Sequence, residues 1–300
     1  MTQIKMDQFP SLVCEAYRSL LWDTSRHLVL CGGAGSGKSQ FAAQKTMIYR
    51  PLTEQGTRYL ITRKVARTLR HSSFALALQL IEDYGLSKFT RVNKSDMTIE
   101  FLATGSQLLF VGLDDPEKLK SITNITAAFC EEASEMTPTD ADQINLRLRG
   151  KHRGRYYQII YCFNPVLPQA EWLRQRFFVE RPALTRVMKS TYKHNEYLDA
   201  EYKQVLEGLA QQNKQLYQVY TLGNFYHDDS TRVFTCLSIR PDAAMPSDGV
   251  CYYGLDFGYN NPNALAFCCE QDSVLYCRQI LYRSQMTVED LIAELRGLKV

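Results

Sequence analysis

The chain has 300 residues, of which 45% are hydrophobic and 22% charged, and a formal net charge of +3. That balance excludes a wholly disordered chain, and no apolar run approaches the roughly 18 residues a membrane helix needs. The length provides for about two domains, and the mild positive charge permits a nucleic-acid partner without demanding one.

Leu12 to Leu21 reads as a helix. His27 to Cys31 is a short apolar run with the length and content of a strand. It leads into the glycine-rich segment Gly32-Gly33-Ala34-Gly35-Ser36-Gly37-Lys38-Ser39, and a helical pattern follows from Gln40 to about Tyr49, where Pro51 is expected to stop it. Tyr59 to Thr62 predicts a second strand, followed by a helix from Leu69 to Tyr84. Met97 to Phe101 and Gln107 to Val111 predict a hairpin around Ala103-Thr104-Gly105-Ser106. Ile125 to Cys130 and Tyr157 to Phe163 are further apolar runs, the first ending at Glu131-Glu132 and the second at Asn164-Pro165. Strands alternating with helices in this way predict an α/β domain with a largely parallel sheet. After Pro165 the pattern turns helical, over Glu171 to Phe178 and Asp199 to Gln211. Mixed turn signals fill about Phe225 to Gly249. New strands are predicted over Val250 to Phe257, Ala264 to Glu270 and Val274 to Leu281.

Nine cysteines carry no C-x-x-C spacing. They read as reduced, buried small hydrophobes, not as a disulfide framework or a zinc site. Met1 to Pro10 has no basic end followed by an apolar run, so no secretory signal is expected.

Gly32, Gly37, Lys38 and Ser39 satisfy G-x-x-x-x-G-K-[ST] between a strand and a helix. In such a loop the glycines let several backbone N–H groups turn inward at phosphate oxygens, and the helix that follows adds the positive end of its dipole. Residues Gly32 through Gln40 are the expected nucleotide-binding segment, with Lys38 reaching the β- and γ-phosphates and Ser39 holding Mg²⁺. Hydrolysis also needs a carboxylate to hold the metal through water and a second to orient the attacking water. Glu131 and Glu132 follow an apolar strand directly. The first is assigned to the metal and the second to the water, with an exposed helix start as the bland alternative.

Four blocks, GGAGSGKS, ITRKVARTLRHS, ITNITAAFCEEASEMT and YCFNP, occur in order, followed by STYKHNEYL, YTLGNFY and YGLDFGYNNPNALAF. Together they resemble the large terminase family of tailed phages, in particular the branch named for PBSX-like phages. The resemblance covers nearly the whole chain. It implies a RecA-like, additional-strand phosphate-loop core over about 1–165, a helical lid over about 166–225, a hinge over 226–249, and the start of an RNase H-like nuclease domain over 250–300. It implies ATP-driven translocation of double-stranded DNA into a procapsid and cutting of concatemeric DNA. The partners implied are a portal protein, a small terminase subunit and further copies of the chain in a ring on the portal, with a monomer when alone. The setting implied is the host cytoplasm and, transiently, the portal vertex.

Carried over by position, Phe163-Asn164-Pro165 resembles the coupling motif, with Asn164 sensing the γ-phosphate; the alternative is a strand terminator. Asp256 resembles the first metal-binding aspartate of the nuclease, which would take Mg²⁺ or Mn²⁺. Two-metal sites need several converging carboxylates. Glu289 and Asp290 read instead as the acidic first turn of a helix, so the nuclease site is expected to be incomplete within these residues. Two positions depart from the family pattern: Ala34 stands where many relatives have Arg, and Glu131 where Asp is frequent.

A ring motor completes its site with a cation from the next subunit. Arg63, Arg67 and Lys120 are candidates; Lys120 is preferred for that role and Arg63 for a structural or same-subunit one. Arg147, Arg149, Lys151, His152, Arg153 and Arg155 form the densest basic run, read equally as a phosphate-contacting surface or a solvated loop. Two other readings share the phosphate loop: a RecA-like helicase or recombination ATPase, and a non-catalytic remnant that docks on a portal.

Overall fold

The computed structural model describes residues 6–114, 122–149, 156–226 and 244–297. The chain divides into two compact units between Thr231 and Arg232.

The first unit is built on strands β1 (His27–Gly32), β2 (Arg58–Arg63), β3 (Thr90–Asn93), β4 (Thr98–Phe101), β5 (Ser106–Gly112), β6 (Ala127–Cys130), β7 (Gln158–Phe163) and β8 (Thr185–Ser190). They form one sheet in the order β3-β4-β5-β2-β6-β7-β1-β8. All pairings from β5 to β8 are parallel, while β3-β4-β5 is an antiparallel extension. β6 and β7 are buried along their whole length, which is why they read as unbroken apolar runs with no alternation. Two cores lie on the two faces. One gathers Phe9, Tyr17, Phe41, Met47, Phe74 and Ile81, and the other Val29, Ile144, Tyr161, Phe163, Leu173 and Phe177.

The helices are α1 (Glu15–Arg18), α2 (Lys38–Ala43), α3 (Arg50–Thr53), α4 (Ala66–Leu69), α5 (Ser73–Asp83), α6 (Pro138–Arg147), α7 (Glu171–Arg174), α8 (Ala200–Gln212) and α9 (Lys214–Leu216). Three expectations change. Pro51 does not stop the helix after the phosphate loop: α2 runs through a π-helical stretch, Gln44–Tyr49, into α3 and ends at Thr53. Proline removes one i→i−4 bond and crowds the preceding turn, and the wider π turn accommodates both. The helix expected over Leu69 to Tyr84 is broken at Arg70–Ser72 into α4 and α5. The chain after Pro165 is not wholly helical either, since it supplies β8, which pairs with β1 from His27↔Thr185 to Gly32↔Ser190. As an edge strand β8 is only partly buried and lacks the solid apolar run of its neighbours.

The second unit is a three-stranded antiparallel sheet, β11 (Val274–Arg283), β10 (Asn263–Gln271) and β9 (Val250–Asp256) in that order, with α10 (Val288–Gly297). Its small core joins Leu265, Leu281, Met286 and Leu291. Cys251 and Cys277 are exposed here, unlike the buried Cys14, Cys31, Cys130 and Cys162, so the expectation of buried thiols fails at those two positions.

Candidate nucleotide-binding site

Three consecutive parallel strands, β6, β7 and β1, bring the expected residues to one edge of the sheet. The Glu131-Glu132 pair follows β6, Asn164 follows β7, and the phosphate loop follows β1.

Gly35 (φ 68°) and Gly37 (φ 83°) are both left-handed, a conformation that costs glycine nothing and turns the chain back on itself. Among the described residues, the amides of Gly35, Ser36 and Gly37 donate to no protein acceptor. The first-turn N–H groups of α2 likewise have no intrahelical partner. Ser36 Oγ is buried and unpaired. These are the features of a cradle for an oxyanion, so the residues fit a nucleotide triphosphate. Lys38 is buried, with Nζ 3.0 Å from the Gly33 carbonyl oxygen to which it donates. Ser39 Oγ lies 3.5 Å from Cys162 Sγ of β7, and Gln40 is exposed on the first turn of α2.

The outer side of the loop is fastened to the end of β8 and to the segment that follows it. The Gly33 amide donates to Ser190 O (3.1 Å) and the Ala34 amide to Tyr220 O (2.7 Å). A Cβ on Gly33 would stand 2.3 Å from the Tyr220 carbonyl oxygen, and one on Gly32 2.3 Å from that of Ser190. Asn195 Nδ2 donates to Gly35 O at 2.8 Å, and Tyr17 Oη donates to Ser36 O at 3.0 Å while stacking on Phe41. Ala34 thus carries no long side chain into the loop, and its amide is already committed to Tyr220.

Glu131 and Glu132 diverge. The Glu131 amide continues the sheet by donating to Thr62 O (2.9 Å), and its Oε2 accepts from Ser72 Oγ (2.8 Å) and Ser73 Oγ (2.7 Å). Glu132 is left-handed (φ 47°, ψ 51°), an unfavourable conformation for a residue with a Cβ. Burial raises its carboxyl pKa above the ordinary value; the positive charges of Lys38 and Arg63 oppose that shift, while Glu131 and Glu135 add to it. Arg63 is bound to Glu135 through two hydrogen bonds. Arg67 is exposed. Asn164 Oδ1 is buried and accepts from nothing among the described residues.

Lys120, Lys151, His152, Arg153 and Arg155 lie outside the described residues. Asp256 ends β9, exposed, opposite Ala264. Among the described residues no cluster of three or more His, Cys, Asp or Glu side chains is placed to share a metal ion. Asp290 forms a capping box with Thr287, accepting from its amide (3.0 Å) and hydroxyl (2.8 Å), as its position in a first turn suggested. The sequence reading missed Ser72, Ser73, Asn195 and Tyr220. Of these, Ser72, Asn195 and Tyr220 lie inside quoted blocks and Ser73 directly follows one, but nothing in those blocks indicated contact with Glu131 or the phosphate loop.

One strand, β7, separates the phosphate-loop strand from the acidic strand, and this order with the loop between β1 and α2 defines a RecA-like phosphate-loop α/β fold. The family model for the phage terminase large subunit matches residues 24–224, and the chain belongs to that family. It is 31% identical over 296 aligned positions to the PBSX phage terminase large subunit of Bacillus subtilis (strain 168), covering 89% of this chain and 66% of the relative. It is 28% identical over 278 positions to the large terminase subunit of Bacillus phage SPP1, covering 87% of this chain and 64% of the relative. The chain therefore spans just under two thirds of the length of these two relatives. Among solved structures, the large terminase of a thermophilic bacteriophage in complex with ADP superposes with a TM-score of 0.55 at 18% identity, over 97% of this chain and 73% of that one.

Proposed function

We propose that this chain carries the ATP-hydrolysing motor of a phage DNA-packaging machine, moving double-stranded DNA into a procapsid. The observation that carries the reading is Glu132: a carboxylate in a left-handed conformation at a strand end, partly withdrawn from water, within the electrostatic reach of the phosphate-loop Lys38. Backbone strain of this kind persists where the surrounding structure fixes it, and it is concentrated at working sites.

The residues divide the work. Inward amides from Gly35 to Ser39 bind the phosphates, and Lys38 leaves the Gly33 carbonyl to neutralise their charge. Ser39 and Glu131 hold Mg²⁺, which when bound with ATP draws charge from the transferring phosphoryl group. Glu132 orients the attacking water and accepts its proton. Asn164, with an unsatisfied amide oxygen one strand away, reads the γ-phosphate and passes its loss to the segment that follows it. Residues 1–225 are the motor, with a lid from about 166, and 226–249 the hinge. The unit from 250 is the beginning of an RNase H-like nuclease, to which Asp256 contributes one ligand for Mg²⁺ or Mn²⁺. A portal protein, a small terminase subunit and neighbouring copies in a ring are the partners, Lys120 is the cation offered to the next copy, and the site of action is the portal vertex in the host cytoplasm.

The test is steady-state ATP hydrolysis with and without duplex DNA, beside Glu132→Gln. Turnover by the wild type, and ATP binding without turnover by the variant, is the expected result. A wild type that neither binds nor hydrolyses ATP in the presence of DNA and portal would overturn the proposal.

A further inference from the structure

We infer that Ser72 and Ser73 are the positioning residues that hold Glu131 for its metal, an inference that rests on the proposed role of Glu131. Both hydroxyls donate to the same carboxylate oxygen, Oε2, at 2.8 and 2.7 Å. Among the described residues Oε1 accepts no hydrogen bond, so one oxygen is fixed and the other is left for a metal-bound water. With its rotamer fixed and one oxygen already satisfied, the carboxylate presents Oε1 in a single direction.

Three features mark the arrangement as directed at Glu131. Ser72 occupies the N-cap position of α5, yet its side chain makes no cap bond to that helix and is turned to Glu131 instead. Ser73 is buried, and its hydroxyl finds its acceptor in Glu131, some 58 residues along the chain. The 11-residue α5 begins at Ser73, so the positive end of its dipole faces the carboxylate. The break at Arg70–Ser72 that separates α4 from α5 is what frees both serines for this purpose.

The test is the Mg²⁺ concentration needed for half-maximal binding of methylanthraniloyl-ADP by the full chain, with binding in EDTA and thermal unfolding recorded in parallel. Glu131→Ala is expected to raise that concentration; if it does not, the metal role of Glu131 fails and this inference with it. If Glu131→Ala raises it, Ser72→Ala/Ser73→Ala is expected to raise it about tenfold while leaving binding in EDTA unchanged. Ser72→Thr, which keeps the hydroxyl, is expected to behave as wild type. A double variant with a wild-type Mg²⁺ requirement overturns the inference, as does an equal loss of nucleotide affinity in EDTA. Where the double variant does not fold, Ser72→Ala decides: about a fivefold rise is expected from one lost hydrogen bond, and no rise overturns the inference.

Discussion

Arg63 is held by Glu135 through two hydrogen bonds, 2.9 and 3.1 Å, and so stands as a fixed positive charge near Glu132. Burial raises the Glu132 carboxyl, and Arg63 and Lys38 pull it back. A base that must be ionised loses rate as pH falls through its pKa, so the acid limb of kcat/KM for ATP hydrolysis is expected above the ordinary carboxylate range. Arg63→Gln removes one of the two opposing cations and leaves Glu135 unneutralised, and both changes move the limb to higher pH. An unmoved limb in a folded variant would show that Glu132 is not the titrating base.

Gly33 has no room for a side chain, because a Cβ would meet the Tyr220 carbonyl oxygen at 2.3 Å. Gly33→Ala is expected to displace the 217–223 segment, lower stability by about 1–3 kcal/mol and weaken nucleotide binding at least about tenfold. Calorimetric unfolding and a fluorescent-nucleotide titration check the two parts. Retention of wild-type affinity would mean that the loop tolerates detachment from Tyr220.

His27 packs beside Tyr161 and Phe177, and its Nδ1 is buried without a partner. Burial, assisted by the nearby Arg26 and Arg176, lowers its pKa from 6.5 to about 4. The unfolded chain therefore takes up this proton first as pH falls. The contribution to stability is complete above about 6.5, declines between 6.5 and 4, and is lost below that, amounting to at most about 3 kcal/mol. His27→Phe is expected to flatten this part of the stability–pH curve, as read by denaturant midpoints.

Arg50 and Glu54 are both buried and joined at 2.8 Å, with Arg50 also donating to Tyr156 O (2.9 Å) and Tyr59 Oη donating to Glu54 (2.7 Å). Removing one partner leaves a buried charge uncompensated, so Arg50→Ala is expected to cost about 3–5 kcal/mol. Arg50→Met combined with Glu54→Leu removes both charges and is expected to cost much less. A double variant as unstable as the sum of its single variants would show that the pair's charges are not coupled.

Much of the fold was legible because its central strands are buried on both faces. Unbroken apolar runs such as Tyr157 to Phe163 carry that signal in their composition, and the glycines of the phosphate loop carry theirs in their spacing. β8 and β3 were not legible, since each is an edge strand whose residues are half exposed and resemble loop. The continuation of the helix through Pro51 was hidden because a local rule for proline was overridden by a π turn upstream. At the site, Glu131, Glu132 and Asn164 could be placed at strand ends from sequence. Their environments could not, because Ser72, Ser73 and Tyr220 reach the site through contacts distant in the chain, and no short motif records such contacts.

The edge position of β8 sets a limit on how this molecule can be cut down. A piece ending at Asn164-Pro165, where the motor core was expected to end, would strip the partner from one whole side of β1 and leave the amides of Gly33 and Ala34 with no acceptors at Ser190 and Tyr220. The smallest autonomous nucleotide-binding piece therefore has to reach Gly223, whose left-handed turn brings its backbone against Gly32 and Gly33. What looks like an appendage in the sequence is, in the folded molecule, the far wall of the phosphate loop.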